Sequence, residues 1–195
     1  MSAIPKLRLT ETEYLAIESK ADFKSEFYRG EMFAMAGASR EHNYVKENLV
    51  VEIGSRLRGT LCRTLSGDQR LKVSATGFYT YPDIVIVCGK PEYDSIDRDS
   101  LINPVVVIEI LSPSTEKYDR GAKFRQYQQL ESVKEYVLVS QEVAVCESFV
   151  RQADGTWNLT IVTDLQADFE ISSVKVRIPM ADIYNGVDFS YPQPT

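Results

Sequence analysis

The chain has 195 residues, 44% hydrophobic and 26% charged, which is the balance of a soluble globular protein of one domain. Its formal net charge of −6 argues against a protein that coats nucleic acid, but not against an enzyme that meets DNA through a local basic patch. No run of about eighteen apolar residues predicts a membrane span, and the first ten residues lack the apolar core of a signal peptide, so we expect a cytoplasmic protein.

The N-terminal part of the chain predicts a helix followed by a hairpin. Thr10, with Glu13 three residues later, forms a capping-box pattern that opens a short helix. Residues 23–35 read as a β-hairpin with Arg29 and Gly30 at its turn.

A long amphipathic helix is predicted next, over residues 40–58, with Ser39 as its N-cap. Its apolar residues recur every four positions, at Val45, Leu49, Ile53 and Leu57.

The rest of the chain alternates predicted strands and helices. The strands are expected at residues 60–65, 70–74, 79–88, 105–111, 136–139, 143–150 and 157–162. Helices are expected at 114–130 and 178–184, and a flexible tail at 191–195. This order predicts an α/β or α+β fold, in which one mixed sheet is flanked by helices and followed by a C-terminal β extension. A single domain would span residues 1–195.

Cys62, Cys88 and Cys146 are far apart in the sequence and form no CxxC pair. In a cytoplasmic protein this pattern predicts buried, reduced thiols. Since the chain has one histidine, a structural zinc site would lack ligands.

Glu109 is the most informative residue, because it lies within the apolar run 105–111. A buried, unpaired carboxylate costs several kcal/mol, so a sequence that places one there should supply a metal, a basic partner or a proton. Asp83 stands just before the other apolar run, 84–87. If the two strands are neighbours, both acids reach one edge of the sheet. Together with a backbone carbonyl, they would form an oxygen site for Mg²⁺ or Mn²⁺.

Such a site would also need a cation near the phosphate or the attacking water. Arg120 and Lys123 on the following helix are the candidates. Tyr127 lies four residues beyond Lys123 and therefore shares its helix face.

The order of these motifs resembles the PD-(D/E)xK nuclease superfamily, and within it the Uma-two family of restriction-endonuclease-like proteins. The similarity runs from about Glu13 to Gln141, and its most specific part is the string Glu-Ile-Leu-Ser-Pro-Ser-Thr at 109–115. The resemblance implies a restriction-endonuclease-like fold that hydrolyses DNA. We also expect a homodimer, because cutting both strands of a duplex suits two sites related by a two-fold axis.

Carried over onto this chain, the resemblance makes Asp83 and Glu109 metal ligands, with the Ile110 carbonyl as the third. The lysine of the superfamily normally stands two residues after the second acid, where this chain has Leu111. The resemblance therefore assigns the role to Lys123 on the next helix.

Several other residues are second-tier candidates. Those that would support the metal site are Glu26, His42 and Asp68, beside Tyr127. Those that would contact phosphate are Arg70, Lys72, Lys117 and Arg120, and Lys72 or Lys117 would replace Lys123 if that lysine does not reach the site.

Two other functions are compatible with this sequence. The first is a catalytically inactive member of the same fold that binds nucleic acid or protein. The second, a glycosidase with paired carboxylates, is poorly supported because Trp157 is the sole tryptophan that could line a sugar cleft.

Overall fold

Residues 8–190 are described by the structure, a computed structural model, and they form the expected mixture of sheets and flanking helices. The predicted tail at 191–195 lies outside the described residues. The helical segments are α1 (Glu11–Glu18), α2 (Arg40–Leu57), α3 (Glu116–Tyr118), a π-helical turn (Asp119–Lys123), α4 (Phe124–Tyr127), a 3-10 turn (Ser172–Val174) and α5 (Met180–Ile183). The strands are β1 (Ser25–Tyr28), β2 (Glu31–Ala34), β3 (Cys62–Ser66), β4 (Arg70–Val73), β5 (Phe78–Thr80), β6 (Ile84–Cys88), β7 (Ser100–Leu101), β8 (Val106–Leu111), β9 (Glu135–Ser140), β10 (Cys146–Arg151), β11 (Trp157–Val162), β12 (Asp168–Ile171) and β13 (Val176–Pro179).

The strands of the described chain form three sheets rather than the one that the sequence predicts. A six-stranded sheet has the order β11-β10-β9-β8-β6-β3, and a five-stranded sheet the order β2-β1-β5-β4-β7. The strands β12 and β13 form a separate hairpin. In the six-stranded sheet β8 is parallel to β9 and antiparallel to β6, so β8 lies inside a mixed sheet.

The first predicted elements are confirmed. The Thr10 side chain accepts the Glu13 amide and the Glu13 side chain accepts the Thr10 amide, which is the expected capping box. The hairpin turns at Arg29 and Gly30, whose φ angles of 52° and 84° give the turn type that matches the twist of two paired strands.

Helix α2 covers one face of the six-stranded sheet. Its apolar ladder of Val45, Leu49 and Ile53 is fully buried against Ile84, Ile108 and other residues of β6 and β8. The opposite face of the sheet packs on the five-stranded sheet and on α4. Val107 of β8, Leu71 of β4 and Tyr127 of α4 belong to this second core cluster. β8 is therefore buried on both faces, which explains its continuous run of apolar residues.

The predicted strand at 79–88 is in fact two strands in two sheets. β5 pairs with β1 and β4, whereas β6 pairs with β3 and β8. The chain crosses between the sheets at Pro82, whose nitrogen has no hydrogen to donate to a ladder. Asp83 therefore stands at the crossing, immediately before β6.

The predicted helix at 114–130 is interrupted, since the π-helical turn Asp119–Lys123 separates α3 from α4. A π-helical turn adds a residue to the helical repeat, and such turns are frequent at functional sites. The prediction of a helix over 178–184 was also partly wrong, because residues 178 and 179 belong to β13 and the helix α5 starts at Met180.

The prediction that all cysteines are reduced was wrong. Cys62 and Cys88 form a disulfide, and Cys146 is free and buried. The antiparallel register of β3 and β6 places Cys62 directly opposite Cys88, which sequence spacing alone did not reveal.

Helices across residues 8–190 are all too short or too polar to cross a membrane.

Candidate active site

The antiparallel pairing of β6 and β8 brings the two predicted acids together. Ile84 pairs with Ile108 in this antiparallel register. Asp83, one residue before Ile84, therefore lies opposite Glu109, one residue after Ile108. The Ile110 amide donates to Asp83 Oδ2 at 2.8 Å, which fixes the Asp83 side chain against β8. The expectation that these strands are neighbours is confirmed.

Glu109 is a buried carboxylate with two donors on one oxygen. The Tyr127 hydroxyl donates to Glu109 Oε1 at 2.6 Å, and Lys123 Nζ lies 2.9 Å from the same oxygen. Lys123 and Tyr127 thus act from one side of the interrupted helix, as their spacing predicts. The structure brings Lys123 to the acid pair although Leu111 occupies the usual position of the lysine.

Lys123 is itself surrounded by carboxylates. Its Nζ lies 3.4 Å from Glu26 Oε1 and 3.5 Å from Asp119 Oδ1, in addition to Glu109. Burial alone would lower the pKa of Lys123, but the charges of these three acids raise that pKa well above its ordinary value. The lysine is therefore a fixed positive charge inside the site.

Glu26 joins the hairpin to this cluster. It is buried on β1, where its Oε1 accepts from the Thr80 hydroxyl at 2.5 Å and its Oε2 accepts from the Tyr118 hydroxyl at 2.8 Å. These bonds align the carboxylate towards Lys123, so the structure places Glu26 within the site.

His42 contacts Asp83 from the first turn of α2. Its Nε2 lies 3.2 Å from Asp83 Oδ2, and its Nδ1 is buried with no hydrogen-bond partner among residues 8–190. Burial would raise the pKa of Asp83, but the His42 contact, the Ile110 amide and the charge of Lys123 outweigh it, and the pKa is lowered. Asp83 is therefore held as a carboxylate.

Glu109 has the opposite electrostatic character. Burial raises its pKa, Lys123 opposes this effect, and the nearby charges of Asp119 and Asp83 add to it, so that the pKa reaches about 8. The site thus holds more negative charge than its one lysine neutralises, which is an environment that favours a bound cation.

The donor set fits a hard divalent cation. Protein donors converge on Asp83 Oδ2 and Glu109 Oε1, which leaves Asp83 Oδ1 and Glu109 Oε2 without a hydrogen-bond donor from residues 8–190. In a strand, the amide and carbonyl of one residue point to the same side. Because the Ile110 amide donates to Asp83, we expect the Ile110 carbonyl on the same side of β8.

No group of three or more His, Cys, Asp or Glu residues within 8–190 forms a ready-made metal cage. Mg²⁺ does not require one, because it usually keeps several waters and takes one or two carboxylates. The Asp83 side chain is 20% exposed, so the site opens to solvent on this side.

Other predicted site residues lie outside this cluster. Asp68 is exposed and pairs with Lys24, so the structure does not bring it to the acids. Three of the predicted phosphate contacts are engaged within the protein instead: Arg70 with Asp97, Lys72 with Glu11 and Asp94, and Arg120 with Glu147. Lys117 is exposed on α3.

Asp119 belongs to the cluster but was missed from the sequence. It is buried, and its pKa is raised because burial outweighs the attraction of Lys123. Its position four residues before Lys123 was the available signal, since such pairs share a helix face.

Comparison with known proteins supports the fold and the family. The family model "Uma2: Putative restriction endonuclease" matches residues 12–179. The protein slr1290 of Synechocystis sp. (strain ATCC 27184 / PCC 6803 / Kazusa) is 32% identical over 190 residues, which cover 95% of this chain and 96% of that protein. The protein sll1609 of the same strain is 33% identical over 172 residues, covering 86% and 95%.

A solved structure has the same fold. The crystal structure of a protein from Anabaena variabilis ATCC 29413, described as "a putative nuclease belonging to DUF820", matches with a TM-score of 0.73 and 16% identity. The match covers 90% of this chain and 97% of that one.

Proposed function

Because this chain belongs to the Uma2 family, described as "Putative restriction endonuclease", we propose that it is a metal-dependent endonuclease that hydrolyses DNA phosphodiester bonds. The observation that carries the proposal is the convergence of Asp83, Glu109 and Lys123, which come from three separate elements. A sheet core has no structural need for this set, since buried charges cost free energy that apolar side chains would not.

Asp83 and Glu109 would hold Mg²⁺ or Mn²⁺, with the Ile110 carbonyl as a third ligand. When bound, the ion supplies Lewis acidity and lowers the pKa of a water that attacks the phosphorus. His42 positions Asp83 through its contact with Oδ2, and Tyr127 positions Glu109 through Oε1.

Lys123 would stabilise the charge that develops on the phosphate oxygens. Its ammonium is preorganised by Glu26 and Asp119, so it need not be reoriented at the moment of reaction. The role needs a cation at one point in space, and Lys123 would supply it from the π-helical turn.

The same contacts also suit a second function, an inactive module that binds nucleic acid or protein. The observation in its favour is that Lys123 already forms ion pairs with three acids, which stabilise the cluster without a metal. Metal binding and strand cleavage separate the two functions.

The experiment measures binding of Mg²⁺ and Mn²⁺ by calorimetry and cleavage of plasmid and single-stranded DNA. The wild type would be compared with Asp83→Asn, Glu109→Gln and Lys123→Met, which change charge with little change in shape. Lys20→Met is the control, because Lys20 is exposed after α1 and is not among the predicted site residues.

We expect the three site variants to lose cleavage by about 10²-fold or more, while Lys20→Met cleaves as the wild type does. The acid variants should also bind metal more weakly. If Lys123→Met cleaves normally, the lysine assignment is wrong. If the wild type binds neither ion and cuts no DNA, the inactive module is the better description.

We also propose that the protein acts as a homodimer, because two sites related by a two-fold axis suit the cutting of both strands. Sedimentation of the purified protein tests this directly, and a monomer at all concentrations used for cleavage would contradict it.

A further inference from the structure

A cavity of about 550 Å³ lies beside the candidate active site. One wall is the loop between β3 and β4, where Ser66 pairs with Ile84 and the Gly67 amide donates to the Asp83 carbonyl at 3.3 Å. The cavity is therefore tied to the backbone of the acid that the proposed function places at the metal. Its volume falls within the range of small-ligand sites and can take one nucleotide.

The cavity offers an aromatic surface that the fold does not use. Tyr93 lines it and remains 43% exposed, although its backbone is fixed by a bridge to Leu101. Tyr81 forms a buried part of the wall. An exposed aromatic ring on an ordered backbone is a stacking platform, because every nucleobase has a flat face that it can cover.

The cavity also offers one uncommitted cation. The Arg70 guanidinium is held by Asp97 and by the Tyr81 hydroxyl, so its charge is already used. Arg98 also lines the cavity, is exposed, and forms no ion pair or hydrogen bond with the rest of residues 8–190. An arginine in this state is free to bind a phosphate.

Polar groups suited to the edge of a base complete the lining. The Gln69 side-chain amide nitrogen donates to the carbonyls of Arg70 and Asp99, both at 2.8 Å, which fixes this side chain and keeps its oxygen as an acceptor. Asp99 also lines the cavity, and a carboxylate can accept from the amino group of a base.

We propose that this cavity is a subsite for one nucleotide of an unpaired DNA strand, with its base stacked on Tyr93 and a phosphate on Arg98. A base inside a duplex has both faces covered by its neighbours, so it cannot stack on Tyr93 without leaving the helix. The preferred substrate would therefore be single-stranded, or unpaired next to the cut. This inference rests on the proposed function for its position beside the cleaved bond.

The test is binding of a short single-stranded deoxyoligonucleotide that carries 2-aminopurine, with the matching duplex as comparison. Binding is measured in EDTA, so the result does not depend on metal or cleavage. The variants are Tyr93→Ala, Tyr93→Phe and Arg98→Ala, and Arg177→Ala is the control because Arg177 is an exposed arginine on β13.

We expect tighter binding of the single strand than of the duplex, and about tenfold weaker binding by Tyr93→Ala, the loss that corresponds to one base stack. Tyr93→Phe should bind as the wild type does. Arg98→Ala should weaken binding and reduce its salt dependence by about one phosphate contact, whereas Arg177→Ala should not.

Equal binding by Tyr93→Ala and the wild type would overturn the proposal, as would equal affinity for single strand and duplex. Binding that depends on Tyr93 in a protein that cuts no DNA would keep the subsite and reject the nuclease. DNA cleavage by a protein whose binding is unchanged by Tyr93→Ala would keep the nuclease and reject the subsite.

Discussion

Single residues in the acid cluster show how strongly burial and charge are coupled here. Glu109 and Lys123 are both buried, and each stabilises the charged form of the other. Removing one member of such a pair leaves the other uncompensated in a medium of low polarity, which costs more than the pair itself contributes.

Lys123→Met should therefore destabilise the protein by about 3–5 kcal/mol at neutral pH, because three buried acidic side chains lose their shared cation. Lys117→Met, at an exposed position, should change stability by less than about 0.5 kcal/mol. Urea unfolding at pH 7 measures both. Equal stability of the two variants would mean that the ion pairs at Lys123 contribute nothing.

Glu109→Gln should change how stability depends on pH. The pKa of Glu109 is raised from 4.5 to about 8, so the folded state binds its proton more tightly than the unfolded state does. Its contribution to stability is complete below pH 4.5 and is lost as the pH rises towards 8. Glutamine does not titrate, so the stability of the variant should rise relative to that of the wild type between pH 4.5 and about 8. Unfolding free energies measured at several pH values should diverge, and parallel curves would contradict the shift.

The sequence predicted the centre of this cluster and, with Glu26, His42 and Tyr127, part of its surroundings. An acid inside an apolar strand identified Glu109, and an acid after proline at the start of another identified Asp83. Asp119 was missed because it looks like an ordinary helix residue until the fold buries it. Tyr118 was missed because only the fold brings its hydroxyl to Glu26, which lies 92 residues away in the sequence. The engagement of Arg70 with Asp97 could not be predicted either, because their contact joins positions 27 residues apart.

At the scale of elements, helix α2 shows how a sequence pattern becomes packing. One face carries its apolar ladder into the core, while Val51 on another face is 62% exposed. Leu49→Ala should therefore cost about 2–5 kcal/mol, because it removes buried methyl groups and leaves a cavity.

Val51→Ala is the matched control on the same helix, and its effect on stability should be small. Thermal or urea unfolding of the two variants gives the comparison. A large loss for Val51→Ala would mean that this exposed face is covered in solution, for example by a second copy of the chain.

Element types were largely predictable, whereas the division into sheets was not. The pattern of residues 79–88 correctly predicted extended chain, but it carries no information on which strands each half of the segment pairs with. Pro82 was the visible signal for the crossing. The short strands β7 and β12 lacked a pattern long enough to detect.

At the scale of the whole molecule, the disulfide joins an edge strand of the six-stranded sheet to the strand that begins after Asp83. Stable disulfides are more usual in oxidising compartments than in the cytoplasm. The cytoplasmic location that the sequence analysis expects therefore stays a prediction. The double variant Cys62→Ser and Cys88→Ser should lose about 2–4 kcal/mol of stability. Unfolding with and without reductant measures this, and a reductant should then affect only the wild type.

The same bond changes what a protease can do to the chain. Cys62 and Cys88 enclose the loop at Asp68, whose side chain is 91% exposed, so this loop is a natural place for a protease to cut. A cut there would break the polypeptide but leave both fragments covalently joined, with His42 on one and Asp83 on the other. The nicked protein should migrate as one band without reductant and as two bands with it, and the candidate active site would be shared between its two halves.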